Sequence, residues 1–95
     1  MISLKNNNIR VRCIECKESQ YITLALIGKE HEKRSIGTEF EYIHRGESNC
    51  SHCNEKLRIL STVYEYPEGH LNYVDNVDQG CIIMEDIDET SFIIT

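Results

Sequence analysis

The sequence predicts one all-β domain, residues 1–95, made of antiparallel strands. Several short segments are rich in β-branched and aromatic residues and are bounded by Gly, Pro, Asn or Asp, which is the pattern of strands joined by turns. No segment repeats its apolar residues with the 3.6-residue period of an amphipathic helix. A chain of 95 residues has room for one domain, and its strand-like segments number about six or seven.

The first part of the chain contains three segments with strand character. Residues 8–13, NIRVRC, alternate apolar and basic side chains and lead into a cysteine turn. Residues 20–28, QYITLALIG, form a β-branched and aromatic run that predicts a buried strand, although its Leu-Ala-Leu sequence also favours a helical turn. Residues 29–35, KEHEKRS, are a charged loop or a solvated strand end. Residues 36–46, IGTEFEYIHRG, alternate aromatic and acidic side chains, as in a half-buried strand.

The C-terminal part continues with strands and tight turns. Residues 55–66, EKLRILSTVYEY, form the longest predicted strand, which ends before the proline of a tight turn. Residues 70–74, HLNYV, return from that turn, and residues 75–80, DNVDQG, predict the next turn. Two short apolar strands, residues 81–84 and 91–95, then enclose the acidic turn EDIDET.

Two cysteine pairs share the spacing Cys-x-x-Cys, and each residue of the second pair lies 37 positions after its counterpart. The pairs are Cys13 with Cys16 and Cys50 with Cys53. We call residues 13–18 the first knuckle and residues 50–55 the second knuckle. Four thiolates from two such turns suit a tetrahedral Zn²⁺ ion, so the spacing predicts a metal site although 33 residues separate the pairs.

Three other interpretations of the cysteine pairs stay open: a disulfide framework, a redox dithiol and four unrelated cysteines. The sequence shows no signal peptide and no apolar run of the length that crosses a bilayer. We therefore expect a cytoplasmic protein without membrane contact, in a reducing compartment where this spacing binds metal more often than it forms disulfides. No thioredoxin-like βαβ pattern surrounds either pair, which disfavours a redox role.

Residues 9–64 resemble the zinc-ribbon family, because a strand, the knuckle CIEC, further strands, the knuckle CSHC and a last strand follow in that order. The resemblance implies a small zinc-ribbon-like antiparallel β domain with extra C-terminal strands and one structural Zn²⁺ per chain, bound by the four paired cysteines. Lys17 and Asn54 stand where many zinc ribbons have Gly, which disfavours a rubredoxin-like iron site. Residues 63–75, VYEYPEGHLNYVD, resemble segments of zinc-binding modules in bacterial restriction and phage-defence proteins, which implies a bacterial or phage assembly.

Charge divides the chain into a weakly basic part and a strongly acidic part. All ten Lys and Arg lie at or before Arg58, whereas the sixteen acidic residues are split evenly around it. Residues 1–58 carry a net charge of +2, and residues 59–95 carry a net charge of −8. This balance disfavours general nucleic-acid binding, which needs a large positive surface, and it suits a basic protein partner.

Two charged groups are candidates for a partner surface. The basic candidates lie close to the knuckles in the sequence: Arg10, Arg12, Lys17 and Arg58. The acidic candidates belong to the turn EDIDET, which is otherwise a solvated turn: Glu85, Asp86, Asp88 and Glu89. This turn lacks the ladder of oxygen ligands that a calcium loop needs.

Cys81, His52 and the aromatic residues each allow two interpretations. Cys81 opens an apolar run and is expected to be a small buried residue, with a spare metal ligand as the alternative. His52 lies inside the second knuckle, where it is either exposed or replaces a cysteine ligand. Aromatic side chains at alternate strand positions predict a core, with base stacking on an exposed face as the alternative.

The expected function is non-catalytic. A site of four cysteines leaves no open position for water, and no Ser-His-Asp order or Cys-His pair provides a catalytic group. We therefore expect a zinc-stabilised protein-interaction adaptor or small subunit. The alternatives are a nucleic-acid-binding zinc ribbon that uses the basic residues near the knuckles, an acidic inhibitor that imitates DNA, and, last, an enzyme whose groups the sequence order hides.

Overall fold

The computed structural model describes residues 1–35 and 37–95 and confirms the all-β prediction. This part of the chain contains nine strands and one short 3-10 helix, and no α-helix. None of its elements is a helix with the length and apolar character that crossing a membrane requires. The elements are β1 (Ile2–Leu4), β2 (Asn8–Cys13), β3 (Ser19–Thr23), β4 (Ala25–Arg34), β5 (Gly37–Asn49), β6 (Lys56–Glu65), β7 (Leu71–Gln79), β8 (Cys81–Ile83), the 3-10 helix Glu89–Ser91 and β9 (Phe92–Ile94).

The strands form three antiparallel sheets. β4, β5, β6 and β7 lie side by side in a four-stranded sheet, in the order in which they follow along the chain. β2 is the central strand of a three-stranded sheet, between β3 and β8. β1 pairs with β9 in a two-stranded sheet, in which Ile2 lies opposite Ile94. Each of the two larger sheets contains one hairpin, β2–β3 or β5–β6, whose connecting turn is a cysteine knuckle.

The two larger sheets share one apolar core, to which each contributes alternate residues of its strands. They approach each other closely at Gly46 in β5, where a Cβ atom would lie 2.6 Å from the side chains of both Ile22 and Leu24. Only a residue without a side chain allows this spacing. The three-stranded sheet supplies Ile9, Val11, Cys13 and Ile22, and the four-stranded sheet supplies Tyr42, Leu57, Ile59 and Val63.

The strand predictions for the first part of the chain are largely confirmed. β2 has the bounds that the alternation in residues 8–13 predicts. The predicted strand at residues 20–28 is divided at Leu24, whose amide donates to the carbonyl oxygen of Asn7, 2.7 Å away. The predicted burial of this segment is wrong outside Ile22 and Leu24, because the side chains of Tyr21, Leu26 and Ile27 are exposed. The charged residues that follow continue β4 as far as Arg34, so they form a solvated strand end. Ile36, the first residue of the next predicted strand, lies outside the described residues.

The predicted turn at residues 75–80 is wrong, because β7 continues to Gln79 and only Gly80 turns the chain, with φ of +76°. The side chain of Asn76 explains the difference. Its Oδ1 accepts a hydrogen bond from Ser61 Oγ at 2.7 Å, and its Nδ2 donates to the carbonyl oxygen of Ile87 at 2.7 Å. A residue typical of turns is thus used inside a sheet. The strand count is also higher than predicted, and β5, not β6, is the longest strand.

Candidate metal centre

The two knuckles have the same backbone hydrogen bonds. In the first knuckle the amide of Lys17 donates to the carbonyl oxygen of Cys13 at 3.0 Å, and the amide of Cys13 donates to the carbonyl oxygen of Glu18 at 2.9 Å. In the second knuckle the bonds between the corresponding residues measure 2.9 Å and 2.6 Å. Lys17 and its counterpart Asn54 both have φ of 67°. The repeated spacing in the sequence therefore corresponds to a repeated local structure.

The knuckles bring all four paired cysteines together from different sheets. Cys13 Sγ lies 3.6 Å from Cys53 Sγ, and Cys16 Sγ lies 3.5 Å from Cys50 Sγ. All four sulfur atoms lie within 4.8 Å of one another, and none is part of a disulfide. A tetrahedral Zn²⁺ ion with Zn–S distances of about 2.3 Å holds its sulfur ligands about 3.8 Å apart. The cluster therefore has the size and the donor atoms of a four-cysteine metal site.

Backbone amides of the knuckles point at the sulfur atoms. The amides of Cys53 and His52 donate to Cys50 Sγ and lower the pKa of this thiol to about 6. The amide of Glu55 also acts to lower the pKa of Cys53, but desolvation and the three neighbouring thiols outweigh it and raise this pKa to about 12. Deprotonation of one thiol thus makes deprotonation of its neighbours less favourable, whereas a bound cation stabilises all four as thiolates.

Two residues outside the cysteine motifs hold the knuckles in place, and sequence analysis missed both. Gln20 in β3 reaches the second knuckle, where its Oε1 accepts a hydrogen bond from the amide of Ser51 at 2.9 Å. The carbonyl oxygen of Gly80 accepts from the amide of Ile14 in the first knuckle at 3.1 Å. A side chain at Gly80 would clash with the carbonyl oxygen of Lys56, beside the second knuckle. For Gly80, the glycine at the end of a predicted turn was a usable sequence signal, because turns often need a residue that tolerates positive φ. No feature of the sequence indicated the role of Gln20.

Neither His52 nor Cys81 belongs to the sulfur cluster found among residues 1–35 and 37–95. His52 is exposed, and its Nε2 lies 4.0 Å from Glu18 Oε2 of the first knuckle. Cys81 is buried opposite Cys13 in the β2–β8 ladder, and its Sγ lies 3.9 Å from the carbonyl oxygen of Arg58. Desolvation raises the pKa of Cys81. Cys81 therefore packs as a core residue, as its apolar sequence context predicts.

The four basic candidates belong to different elements of the structure. Arg10 and Arg12 are exposed on the three-stranded sheet, and the Lys17 ammonium donates to the carbonyl oxygen of Ile14 at 2.7 Å. Arg58 instead lies on the four-stranded sheet, with its Nε 3.5 Å from Glu47 Oε2.

Glu47 neutralises much of the positive charge near the second knuckle. Its carboxylate lies 2.8 Å from the Lys56 ammonium and 2.7 Å from the Arg45 guanidinium, in addition to the contact with Arg58. Hydrogen bonds from Lys56 and Arg45 lower the pKa of Glu47 to about 2. The basic residues around this knuckle therefore form an ion-pair network with Glu47.

The acidic turn has a structural role at one of its four candidate positions. Asp88 caps the 3-10 helix, because its carboxylate accepts a hydrogen bond from the amide of Thr90 at 2.9 Å. The hydroxyl and amide of Thr90 both lower the pKa of Asp88. The other three acidic candidates, Glu85, Asp86 and Glu89, have exposed side chains.

Comparisons with known proteins identify no family for this chain: no family model, no curated protein and no solved structure matches it.

Proposed function

We propose that this chain is a non-catalytic, zinc-stabilised protein-interaction domain of the zinc-ribbon type, acting as an adaptor or small subunit. The observation that carries the proposal is the cluster of four cysteine sulfur atoms, contributed by two knuckles with the same backbone structure. Four thiolates fill the tetrahedral shell of Zn²⁺ and leave no position for a reacting water, as in structural zinc sites.

The position of the cluster supports a structural role for the metal. One pair of cysteines begins at Cys13, the last residue of β2 in the three-stranded sheet, and the other pair follows β5 of the four-stranded sheet. A bound ion therefore joins two sheets that no shared strand connects. A chain of 95 residues buries a limited apolar core, so metal binding contributes directly to its folding free energy.

An interaction role is supported by the surfaces that remain open on both larger sheets. Several large apolar side chains are exposed there, among them Tyr21 and Ile82 on the three-stranded sheet and Tyr73 and Val77 on the four-stranded sheet. Exposed apolar groups collected on a sheet face are typical of protein interfaces. We propose that this partner belongs to a bacterial or phage assembly, on the resemblance of residues 63–75 to segments of restriction and phage-defence modules.

The metal part of the proposal is tested by elemental analysis of protein purified without added metal, compared with the variants Cys50→Ala and Cys81→Ala. We expect about one zinc ion per wild-type chain and loss of the fold on chelation. Cys50→Ala removes a ligand and should abolish both zinc binding and the fold, whereas Cys81→Ala should keep one zinc ion because Cys81 lies outside the cluster. A well-folded, zinc-free Cys50→Ala variant would overturn the proposal.

The interaction part is tested by affinity capture with the zinc-bound chain as bait and the chelated chain as the control. A partner that binds only the zinc-bound chain supports an adaptor. If that partner is a DNA-binding protein and DNA displaces it, the chain instead acts as an acidic inhibitor that imitates DNA.

One observation favours nucleic-acid binding as a second candidate function. Arg10 lies directly opposite Tyr21 in the β2–β3 ladder, and both side chains are exposed on the same face as Arg12. An aromatic ring beside two guanidinium groups is a suitable platform for an unpaired base and its phosphate. The test is a mobility-shift assay with single-stranded oligonucleotides at low salt, using the charge-reversal variant Arg10→Glu/Arg12→Glu as the control. No shift with the wild type at low salt would exclude this function.

A further inference from the structure

One face of the four-stranded sheet is open. In β5 the side chain of Tyr42 and the Cα of Gly46 face the core, so the intervening side chains lie on the opposite side of the sheet, which we call the outer face. Tyr73 and Val77 on the outer face are 49% and 55% exposed.

The strand register places acidic and aromatic side chains in one row across the outer face. Glu30, Glu41, Tyr64 and Tyr73 are consecutive partners from β4 to β7. The neighbouring rows add three more carboxylates in the same region. We call the five carboxylates of this region the acidic end of the outer face: Glu30, Glu32, Glu39, Glu41 and Asp75.

The acidic end has little positive charge of its own. Arg34 is its one basic neighbour on this face within the described residues, and it contacts Glu39 at 2.9 Å and Glu32 at 3.5 Å. The two lysines of β4, Lys29 and Lys33, lie on the opposite face, where the Lys29 ammonium sits over the Phe40 ring. Glu30, Glu41 and Asp75 therefore have no ion-pair partner among residues 1–35 and 37–95.

The electrostatic consequence is visible at Glu41. Desolvation, followed by repulsion from Glu30, Glu39 and Glu32, raises the pKa of this carboxyl. A cationic group brought to this surface would relieve the repulsion. Glu30, Glu41 and Asp75 thus stay unneutralised beside an open sheet face, whereas the buried Glu39 is paired with Arg34.

The aromatic part of the row adds a second recognition element. The rings of Tyr64 and Tyr73 are stacked, with centroids 4.2 Å apart and an interplanar angle of 15°. Desolvation, together with the nearby charges of Glu41 and Asp75, raises the pKa of Tyr64 to about 12. An exposed aromatic ring flanked by carboxylates is a favourable site for a guanidinium group, which forms planar ion pairs and also stacks on rings.

We propose that the acidic end of the outer face binds an extended, arginine-rich segment of a partner protein. Successive rows of the sheet lie two residues apart, about 6.6 Å, which equals the repeat of side chains on one side of an extended chain. Alternate arginines of such a segment meet successive rows of carboxylates and the Tyr64–Tyr73 pair. This assignment rests on the proposed interaction function and names the surface and the chemistry of its partner.

The experiment measures binding of the zinc-bound full chain to a fluorescent peptide of about ten residues in which Arg alternates with Thr. The test variant is Glu30→Gln/Glu41→Gln. The matched control is Glu85→Gln/Asp86→Asn, which removes the same charge from the exposed acidic turn. We expect the test variant to bind roughly tenfold more weakly, because specific charged contacts are lost, and the control to change binding less than about twofold. Tyr73→Ala should weaken binding of the Arg peptide more than that of a Lys peptide.

Three results would overturn the assignment. The first is equal weakening in the test and control variants, which indicates a response to net charge alone. The second is no binding of the peptide to the wild-type chain at low salt. The third concerns the amide resonances that shift when the peptide is titrated into the chain. Shifts at residues outside the outer face, including shifts produced by self-association of the chain, would contradict the assignment. Capture of a partner that the Glu30→Gln/Glu41→Gln variant still binds with full affinity would reject this surface and leave the interaction function intact.

Discussion

The hydroxyl of Tyr42 donates a hydrogen bond of 2.6 Å to Glu65 Oε1, and each of these residues is 1% exposed. The other carboxylate oxygen of Glu65 accepts from the amide of Gly69 at 2.7 Å, in the turn between β6 and β7. Desolvation raises the pKa of Glu65, but the two hydrogen bonds outweigh it, and the net pKa is lowered. A buried carboxylate is thus kept charged by one side chain and one backbone amide.

Tyr42→Phe should lower the free energy of unfolding by about 1.5–3 kcal/mol, because it removes a hydrogen bond to a buried charged group. Urea denaturation of the zinc-bound chain measures the change. Tyr21→Phe is the matched control, since the Tyr21 side chain is 63% exposed, and it should change stability by less than about 0.5 kcal/mol. Equal stability of the two variants would show that the Tyr42–Glu65 bond contributes little.

His44 makes stability depend on pH. It is 4% exposed, and desolvation lowers its pKa from the ordinary value of 6.5. Below about pH 6.5 the unfolded chain therefore binds a proton more readily than the folded chain, and stability decreases as the pH falls towards the pKa of the folded state. We expect the urea midpoint of the wild type to fall between about pH 7 and pH 5.5, and to fall less in His44→Gln.

The control for this prediction is His70→Gln, which removes an exposed imidazole. Acid also protonates the metal-binding thiolates in every variant. The informative quantity is therefore the difference between variants in the slope of the urea midpoint against pH. His70→Gln should keep the wild-type slope. If His44→Gln has the same slope as well, the buried imidazole does not cause the dependence.

Gly46→Ala should destabilise the chain by pushing the two larger sheets apart. The added methyl group would lie 2.6 Å from the side chains of Ile22 and Leu24 and 2.9 Å from the carbonyl oxygen of Thr23. Relief of this overlap requires the two larger sheets to separate, at a cost of about 1–3 kcal/mol. Gly28→Ala is the control, because its methyl group meets Ile43 at an ordinary 3.6 Å. Thermal unfolding that shifts equally in both variants would contradict the close approach at Gly46.

The parts of the structure that sequence analysis predicted are those that local patterns determine. β2 follows from the alternation of its side chains, and the meeting of the four cysteines follows from two turns with the same spacing. The apolar neighbours of Cys81 predict that it is buried. The correctly spaced cysteines on both sides of His52 predict that it is not a ligand and is exposed. In each case the neighbouring residues alone contain the determining information.

The parts that sequence analysis did not predict depend on contacts between distant segments. The pairing of β1 with β9 joins opposite ends of the chain, and no local pattern marks it. Asn76 remains in a strand only because Ser61 and Ile87 supply its hydrogen-bond partners. Gln20 supports the second knuckle only because the sheets place β3 beside it. Arg58 and Arg10 belong to different sheets, which no local pattern around either residue indicates.

Replacing Lys17 with Gly should stabilise the chain. Lys17 and Asn54 share a left-handed backbone with φ of 67°, a conformation that costs a residue with a Cβ atom about 1–2 kcal/mol and that Asn tolerates better than Lys. We expect Lys17→Gly to raise the free energy of unfolding of the zinc-bound chain by about 0.5–1 kcal/mol, and Asn54→Gly to raise it by less. Lys17→Ala is the control, because it removes the hydrogen bond from the Lys17 ammonium to Ile14 and keeps the strained backbone. An Ala variant as stable as the Gly variant in urea denaturation would show that the side chain, and not the backbone conformation, determines the stability of the first knuckle.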